Sequence, residues 1–403
     1  MGTVRAPARA GDRIVAAMRI TAVTPVPVTF PTEREPMSFC FVRIDTDAGV
    51  VGYGEACDSF ACSYAGVVAA AVSDAFAPLL VGREVGDPAL EGRRLRAWTR
   101  RRLGDAGVGP QALSAVEIAL WDIDGRAAGR PLSAGRVPVY ASAGFLEEGP
   151  ADWHEAQLRP LLERGVRMVK VRVGPDWQSD LATLGKLRAS LGDAVEVMVD
   201  GSETFTLATA ARIADRLRDL GVAWFEEPLP QTAHAGIAEL ARTSPVPIAY
   251  GEHLCGFDDA LDALRRDHVA VLQPDASTCG GISEARRIAE LGSSFGARVV
   301  PHVCAGPVSL AANLHVAASV PTVHAMEYPP FLLSAWHALG AGAELGLEAI
   351  VDGELAVPDG PGLGVALDEA VARANPYRPP QHLAGVRGGG GRDGFPGRFT
   401  GDR

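Results

Sequence analysis

Three carboxylates recur at one interval. Asp200, Glu226 and Glu252 stand 26 residues apart, each closing a short apolar run: Val197-Met198-Val199-Asp200, Trp224-Phe225-Glu226 and Ala249-Tyr250-Gly251-Glu252. A lone acid in such a place is ordinarily a cap for the following helix. Three brought side by side would repel one another in a partly desolvated mouth and raise each other's pKa. A hard divalent cation removes that conflict. Ligation by oxygen alone, with no thiolate or imidazole, favours Mg²⁺, with Mn²⁺ as the alternative, over Zn²⁺.

Titratable partners flank these acids. Lys170 and Arg172 alternate with Val169, Val171 and Val173, so in a strand both cations share one face. Two cations facing a protein interior are costly unless they meet anions. Of the 38 basic residues only Lys170 and Lys186 are lysines, so a lysine kept at this point hints at an amine that can lose its proton. Asp275 and His302 are 27 residues apart and also end apolar runs, as does Glu327. An Asp beside a His can hold the ring's tautomer and raise its basicity. A lone buried His is more often an ordinary hydrogen-bonded core residue; this one follows an Asp by one repeat and accompanies three acids.

The elements that must position these residues are legible from residue 137 onward. Eight short apolar runs (Val139–Ala143, Arg167–Val173, Val195–Asp200, Val222–Glu226, Ile248–Glu252, Ala270–Pro274, Arg298–His302 and Val323–Glu327) alternate with helical patterns such as Leu181–Leu191, Ala208–Leu220, Ala260–Arg266 and Ile282–Phe295. Strand–helix alternation implies parallel strands joined by crossover helices. Eight such units predict a closed (β/α)8 barrel, whose functional groups gather at the C-terminal strand ends. The rival, an open doubly wound sheet, lacks its GxGxxG turn. Before residue 137, strands at Met18–Phe30 and Phe39–Asp45 precede helical patterns at Val67–Leu80, Leu90–Leu103 and Gln111–Ala128, which reads as an α+β domain. The expected division is a flexible extension over 1–17, an α+β capping domain over 18–136, the barrel over 137–330, a C-terminal segment over 331–384 and a disordered Gly-rich tail over 385–403.

Composition bounds the partners. The 403 residues carry 38 Lys plus Arg against 49 Asp plus Glu, a net charge of −11, which argues against nucleic acid and anionic membranes. No apolar run approaches the ~18 residues of a membrane span, and the N-terminal apolar run is too short for a signal peptide. The six cysteines show no CxxC spacing and read as reduced, cytoplasmic thiols serving as small hydrophobes.

Taken in order, Lys170-Val-Arg172, Val199-Asp200-Gly201, Phe225-Glu226-Glu227-Pro228, Gly251-Glu252-His253, Gln273-Pro274-Asp275 with Gly280-Gly281, Pro301-His302 and Met326-Glu327 resemble the mandelate racemase/muconate lactonizing enzyme branch of the enolase superfamily. Ala119-Leu120-Trp121-Asp122 and Val357-Pro358-Asp359-Gly360-Pro361-Gly362-Leu363-Gly364 add to the resemblance, which runs from about Met18 to Tyr377. Each piece is weak alone; the order and spacing make the set specific.

The resemblance implies a cap packed over a modified barrel, with the C-terminal segment returning to the cap. It implies Mg²⁺ on Asp200, Glu226 and Glu252, a carboxylate substrate bound to that metal, and removal of the proton α to the carboxylate. The enolate so formed needs metal and cationic side chains aimed at its oxygens. The Asp275–His302 pair points to the mandelate racemase-like subgroup. The sixth strand has no Lys, which argues against a muconate-type site. Glu327 is implied as a hydrogen-bond partner of the enediolate.

One departure is Arg172, where the family often has a second Lys that acts as a base. Arg stays protonated. Either Arg172 binds the substrate or stabilises the enediolate and leaves His302 as the base, or Lys170 has a depressed pKa beside Arg172 and takes part in proton transfer; the first is preferred. A racemase needs bases on both faces, so the pattern favours β-elimination of water from a sugar acid, with His302 as base, acid or both. An epimerase, racemase or lactone cycloisomerase on the same scaffold is the alternative, and a silent sugar-acid binder is the alternative of another class. The loops Phe30–Phe39 and Cys57–Gly66 resemble specificity loops, placing Glu33, Arg34 and Tyr64 near the distal substrate. A homo-oligomer is the family expectation.

Overall fold

The computed structural model describes residues 18–32, 36–57 and 64–379. The expected extension 1–17, Glu33, Arg34, Cys62 and the tail from 385 lie outside the described residues.

The N-terminal part is an antiparallel meander of β1 (Ile20–Phe30), β2 (Met37–Thr46) and β3 (Val51–Cys57), followed by helices. The turn into β3 has Gly49 at φ +76°, a conformation costly for any residue with a Cβ. Helix α1 (Ala65–Ala71) runs through a π-helical turn over Val72–Phe76 into α2 (Ala77–Leu80). Helix α3 (Pro88–Arg102) starts with the Asp87 side chain accepting from Leu90 N at 2.8 Å, has Pro88 at its first position, and ends on Arg100–Arg102, which suits its dipole. Helix α4 (Val108–Ala128) is buried nearly all round, as a helix between two layers must be. On one side it lies against β3. A Cβ at Gly54 would stand 1.8 Å from Ala115 O, so the strand meets the helix only through glycine.

The remainder follows the alternation read from the sequence: β4 (Arg136–Phe145), α5 (Ala151–Glu163), β5 (Met168–Arg172), α6 (Trp177–Leu191), β6 (Glu196–Asp200), α7 (Leu207–Asp219), β7 (Phe225–Glu226), α8 (His234–Thr243), β8 (Ile248–Tyr250), α9 (Phe257–Arg265), β9 (Val271–Leu272), α10 (Ile282–Ser294), β10 (Arg298–Val299), α11 (Pro307–Ser319) and β11 (Met326–Tyr328). Consecutive strands from β4 to β10 pair in parallel, and β11 pairs back onto β4 through Met326↔Val139. Backbone bonds from His324 N to Val299 O (3.0 Å) and Glu327 N to Pro301 O (3.1 Å) close the ring between β10 and β11.

Strand parity sorts the side chains. Val169, Val171, Val197, Val199, Phe225 and Leu272 face outward into the core under the helices. Tyr140, Met198, Trp224, Ala249, Val271, Val300 and Ala325 fill the ring from inside. The inward positions one step further toward the C-terminal ends are Lys170, Asp200, Glu226, Gln273, His302 and Glu327. The apolar layer is thus the floor on which the polar set stands.

Beyond β11, α12 (Leu333–Ala338) and α13 (Gly342–Leu345) lead to the hairpin β12 (Ile350–Val351) and β13 (Glu354–Ala356), turned by Asp352 and Gly353 at positive φ. Strand β13 pairs antiparallel with the start of β4. The chain then runs back to the N-terminal part: Leu363 N donates to Asp122 Oδ1 of α4 at 2.9 Å, and Thr29 N of β1 to Asn375 O at 3.2 Å.

Candidate active site

Register brings Arg172 opposite Asp200 and Asp200 opposite Glu226 on three adjacent strands. Lys170, wholly buried, is where the charges converge. Its Nζ bonds Glu226 Oε1 and lies 2.9 Å from Glu327 Oε1 and 3.4 Å from Asp200 Oδ2. The ring of Tyr140 lies beneath it, 5.8 Å away. Arg172 sets Nε 3.1 Å from Asp200 Oδ2 and donates from Nη1 to Ala143 O at 2.9 Å. Glu226 Oε2 accepts from Gln273 Nε2 (2.6 Å) and Trp224 Nε1 (3.2 Å).

These contacts decide protonation. Burial works against the Lys170 ammonium, but Glu226, Glu327 and Asp200 outweigh it and hold its pKa well above the ordinary value. Three carboxylates around one amine weigh against the alternative of a depressed Lys170 beside Arg172. Burial raises Glu226 to about 7; Lys170 opposes this, while Asp200 and Glu327 add to it. Burial also works against the Glu327 carboxylate, yet Lys170, His302 and Arg172 bring it down to about 2.

Glu252 lies two residues past β8, where strand parity no longer applies. Its carboxylate is 3.4 Å from His302 Nε2 and 3.7 Å from His253 Nε2. The structure thus gathers Asp200 and Glu226 on Lys170 and turns Glu252 toward the imidazoles. Among the described residues, Glu203, Glu227 and His253 form a cluster with ligand-type atoms within 4.8 Å of one another. Gln231 braces that cluster, its side chain bonding Glu227 and reaching His253 Nδ1 (3.2 Å) while its backbone N–H donates to Glu203 Oε1 (2.8 Å). Glu203 and Glu227 have φ of +57° and +39°, so the backbone curls as it leaves β6 and β7. Sequence reasoning passed over this cluster, although Glu227 and His253 directly follow two of the acids it named.

The Asp275–His302 dyad forms as the spacing predicts. His302 Nδ1 lies 2.9 Å from Asp275 Oδ2. Asp275 Oδ1 accepts from Ser277 N (2.7 Å), Ser277 Oγ (2.6 Å) and Asn313 Nδ2 (2.9 Å). A carboxylate so supplied with donors accepts the Nδ1 proton, which leaves Nε2 toward Glu252 and, at 3.8 Å, Glu327 Oε2. Burial lowers the ring's proton affinity, but Glu252, Glu327 and Asp275 raise it to about 10. Glu327 bridges the halves of the site, with one oxygen toward Lys170 and the other accepting from Val303 N at 3.2 Å. Ser277 and Asn313 were missed by sequence reading; Asn313 sits buried in a mostly apolar helix, and that was the available signal. Tyr64 precedes α1 and is 42% exposed.

Residues 12–134 match the family described as mandelate racemase/muconate lactonizing enzyme, N-terminal domain, and residues 153–371 the family described as enolase C-terminal domain-like. The D-galactarolactone cycloisomerase of Agrobacterium fabrum is 33% identical over 364 residues, covering 84% of this chain and 92% of that protein. The arabinonate dehydratase of Saccharolobus solfataricus is 30% identical over 354 residues, covering 84% and 90%. Among solved structures, a member of the enolase superfamily from Agrobacterium tumefaciens superposes with a TM-score of 0.81 at 25% identity, covering 89% of this chain and 99% of that one. With both domains matched and relatives spanning most of its length, this chain belongs to the mandelate racemase/muconate lactonizing enzyme family of the enolase superfamily and is an enzyme of the lyase or isomerase type.

Proposed function

We propose that the protein abstracts the proton α to the carboxylate of a sugar acid and expels the β-hydroxyl as water. The observation that carries this reading is the asymmetry in kind of the groups on the two sides of the site. One side offers a dyad-held imidazole; the other offers Lys170 and Arg172, both kept cationic. Racemisation requires a base on each face, whereas a syn elimination needs only one group that takes a proton and returns it.

The donor chemistry of the three acids suits a divalent ion, although here Asp200 and Glu226 are paired with Lys170 and Glu252 faces the imidazoles. Asp200, Glu226 and Glu252 supply hard oxygens, and Glu226, raised by burial with Asp200 and Glu327 adding to it, is an acid whose charge such an ion would favour. Asp200 Oδ1 is engaged by Ser202 N–H and hydroxyl, which leaves Oδ2 toward the centre of the site. These three acids would hold Mg²⁺, with Mn²⁺ the alternative, and the ion would supply Lewis-acid stabilisation of the substrate carboxylate. Lys170 and Arg172 orient that carboxylate and offset its growing charge. Glu252 is the largest cause of the raised affinity of His302, and an ion held by the three acids would offset that charge and free the ring's Nε2. His302, in the neutral form so favoured, takes the α-proton: the C–H bond breaks and its electrons form the enediolate. The resulting imidazolium, favoured by Asp275 and Glu327, returns the proton to the β-hydroxyl. The C–O bond then breaks, water leaves, and the enol tautomerises to a 2-keto acid. Glu327 lies between the cations and the imidazole, where it can hydrogen-bond an enediol oxygen.

A second reading is favoured by one observation. The cycloisomerase relative covers as much of this chain as the dehydratase relative does and at higher identity. In that case His302 would donate its proton elsewhere and water would stay. The test is a panel containing D-galactarolactone, D-arabinonate and other sugar acids with Mg²⁺. It is read both as 2-keto acid formed and as solvent deuterium at the α-carbon. Keto acid supports the dehydratase, rearranged product without keto acid supports the cycloisomerase, and neither signal with any acid sinks both. We further propose, on the family pattern, that the enzyme works in the cytoplasm as a homo-oligomer.

A further inference from the structure

The N-terminal sheet holds a carboxylate that the chemistry above does not use. Glu55, on β3, is wholly buried. Its Oε1 accepts from Gly306 N at 2.5 Å and its Oε2 from Ser309 N at 2.9 Å. These donors belong to the start of α11, where N–H groups have no partner inside the helix and a negative charge is favoured. Gly306 has φ −71° and ψ −177°, a backbone open to any residue. A Cβ there would nevertheless meet Glu55 Oε1 at 2.5 Å, so the carboxylate itself demands glycine.

One turn further along α11, Asn313 donates from Nδ2 to Asp275 Oδ1 (2.9 Å) and accepts from Ala276 N at its Oδ1 (2.9 Å). Asp275 holds His302. An unbroken series of bonds therefore joins the N-terminal sheet to the imidazole: Glu55, the first turn of α11, Asn313, Asp275, His302. The segment between His302 and α11 is also anchored, by Trp336 Nε1 donating to Ala305 O at 3.0 Å.

We propose that Glu55 is a positioning residue that sets the aim of the Asp275–His302 dyad from the capping domain, by fixing the end of the helix that carries Asn313. The proposal rests on the reading that this dyad handles the proton. A helix is stiff along its axis, so a displaced first turn moves Asn313 with it, and Asp275 loses a donor that orients it. Outer partners of this kind are worth about 10- to 100-fold in activity.

The test uses the full-length protein with Mg²⁺ and the sugar acid selected by the panel. Glu55→Gln keeps the shape but turns one acceptor into a donor facing an N–H. Gly306→Ala instead displaces the carboxyl group while leaving the Glu55 side chain itself unchanged, and it decides the matter if Glu55→Gln does not fold. The expected result is a kcat lowered about 10- to 100-fold with KM changed less than about 3-fold. Combining Glu55→Gln with Asn313→Ser should add little to either alone, since both act through one connection. In histidine-labelled protein the His302 Nδ1 signal, identified by its loss in His302→Asn, should shift and broaden as its bond to Asp275 loosens. An unchanged kcat, a raised KM with kcat intact, or fully additive losses would overturn the proposal. Turnover surviving in His302→Asn would instead overturn the underlying reading of the dyad.

Discussion

Replacing Lys170 by Met removes one charge and leaves the side-chain volume nearly unchanged, which makes it the sharpest probe of the site. Three carboxylates face that ammonium, and Glu327 gives the size of the effect. Its pKa falls from the ordinary 4.5 to about 2, with Lys170 the largest favourable cause. At about 1.4 kcal/mol per pH unit, this net shift, which Lys170 shares with His302 and Arg172 against burial, is worth about 3 kcal/mol to the folded state. Because the folded pKa is depressed, this stability is fully present above pH 4.5 and lost as pH falls through about 2. Breaking a buried ion pair by removing one partner costs ~3–5 kcal/mol by general experience, in agreement. Urea unfolding should therefore show Lys170→Met about 3 kcal/mol less stable than wild type near pH 7, with the gap narrowing toward pH 2. Glu226, already at about 7 with Lys170 in place, should rise further and take up a proton near neutrality. Loss of a preorganised donor to a developing oxyanion costs ~10²–10³ in kcat, and the same loss is expected here. A variant as stable as wild type at pH 7, or one keeping a tenth of its kcat, would refute the electrostatic reasoning.

Other outcomes follow from the same geometry. His302→Asn should abolish both turnover and α-deuterium exchange while the protein still folds, as circular dichroism would show; exchange at an undiminished rate would remove the imidazole from the mechanism. Treatment with a chelator should stop turnover, and Mg²⁺ but not Zn²⁺ should restore it; full activity after exhaustive chelation would exclude the metal. His315, buried in α11, accepts at Nδ1 from Ser133 N (3.2 Å) and faces Leu363 O with Nε2 (3.2 Å), so the neutral ring fits and the charged ring does not. Burial lowers its pKa from 6.5 to about 4. Its contribution is intact above pH 6.5 and lost as pH falls through about 4, up to about 3 kcal/mol relative to His315→Gln. Identical pH profiles for the two proteins would refute that assignment.

Much of this site could be read from the sequence because strand parity is strict. Lys170, Asp200, Glu226 and His302 fall on the inward face of their strands, and β7, β9 and β10 are marked by apolar runs although each has only two residues of regular pairing. What stayed hidden depended on tertiary surroundings. Helix α11 is buried all round, so it offers no amphipathic stripe. Glu252 stands beyond the end of β8, and its direction follows from the loop. The ionisation of Lys170 is a balance of burial against three acids on three other strands, which no local pattern contains. Glu55 reads as one polar residue in a strand until the helix it caps, some 250 residues away, is in place.

That helix end is one of several places where the N-terminal domain holds the barrel by polar bonds. Glu117 of α4 accepts from Ile282 N (2.7 Å) and Ser283 N (3.2 Å) at the start of α10, and Ser114 Oγ accepts from Gly280 N (2.8 Å). Arg96 donates to Cys255 O at 2.6 Å and to Cys279 O at 3.4 Å. With Glu55 these contacts reach the segments that follow Glu252, Asp275 and His302. Burial raises Glu117 to about 7 and Glu55 to about 8, so keeping both acids buried carries a real cost. An apolar seam would avoid that cost, but hydrophobic contact has no direction and tolerates sliding. Hydrogen bonds weaken steeply with misalignment, so they fix register as well as attraction. A proton carried between a carbon and an imidazole tolerates little displacement. The polar seam is therefore best understood as what keeps the acid–base half of the site aimed, with the strands below setting only its floor.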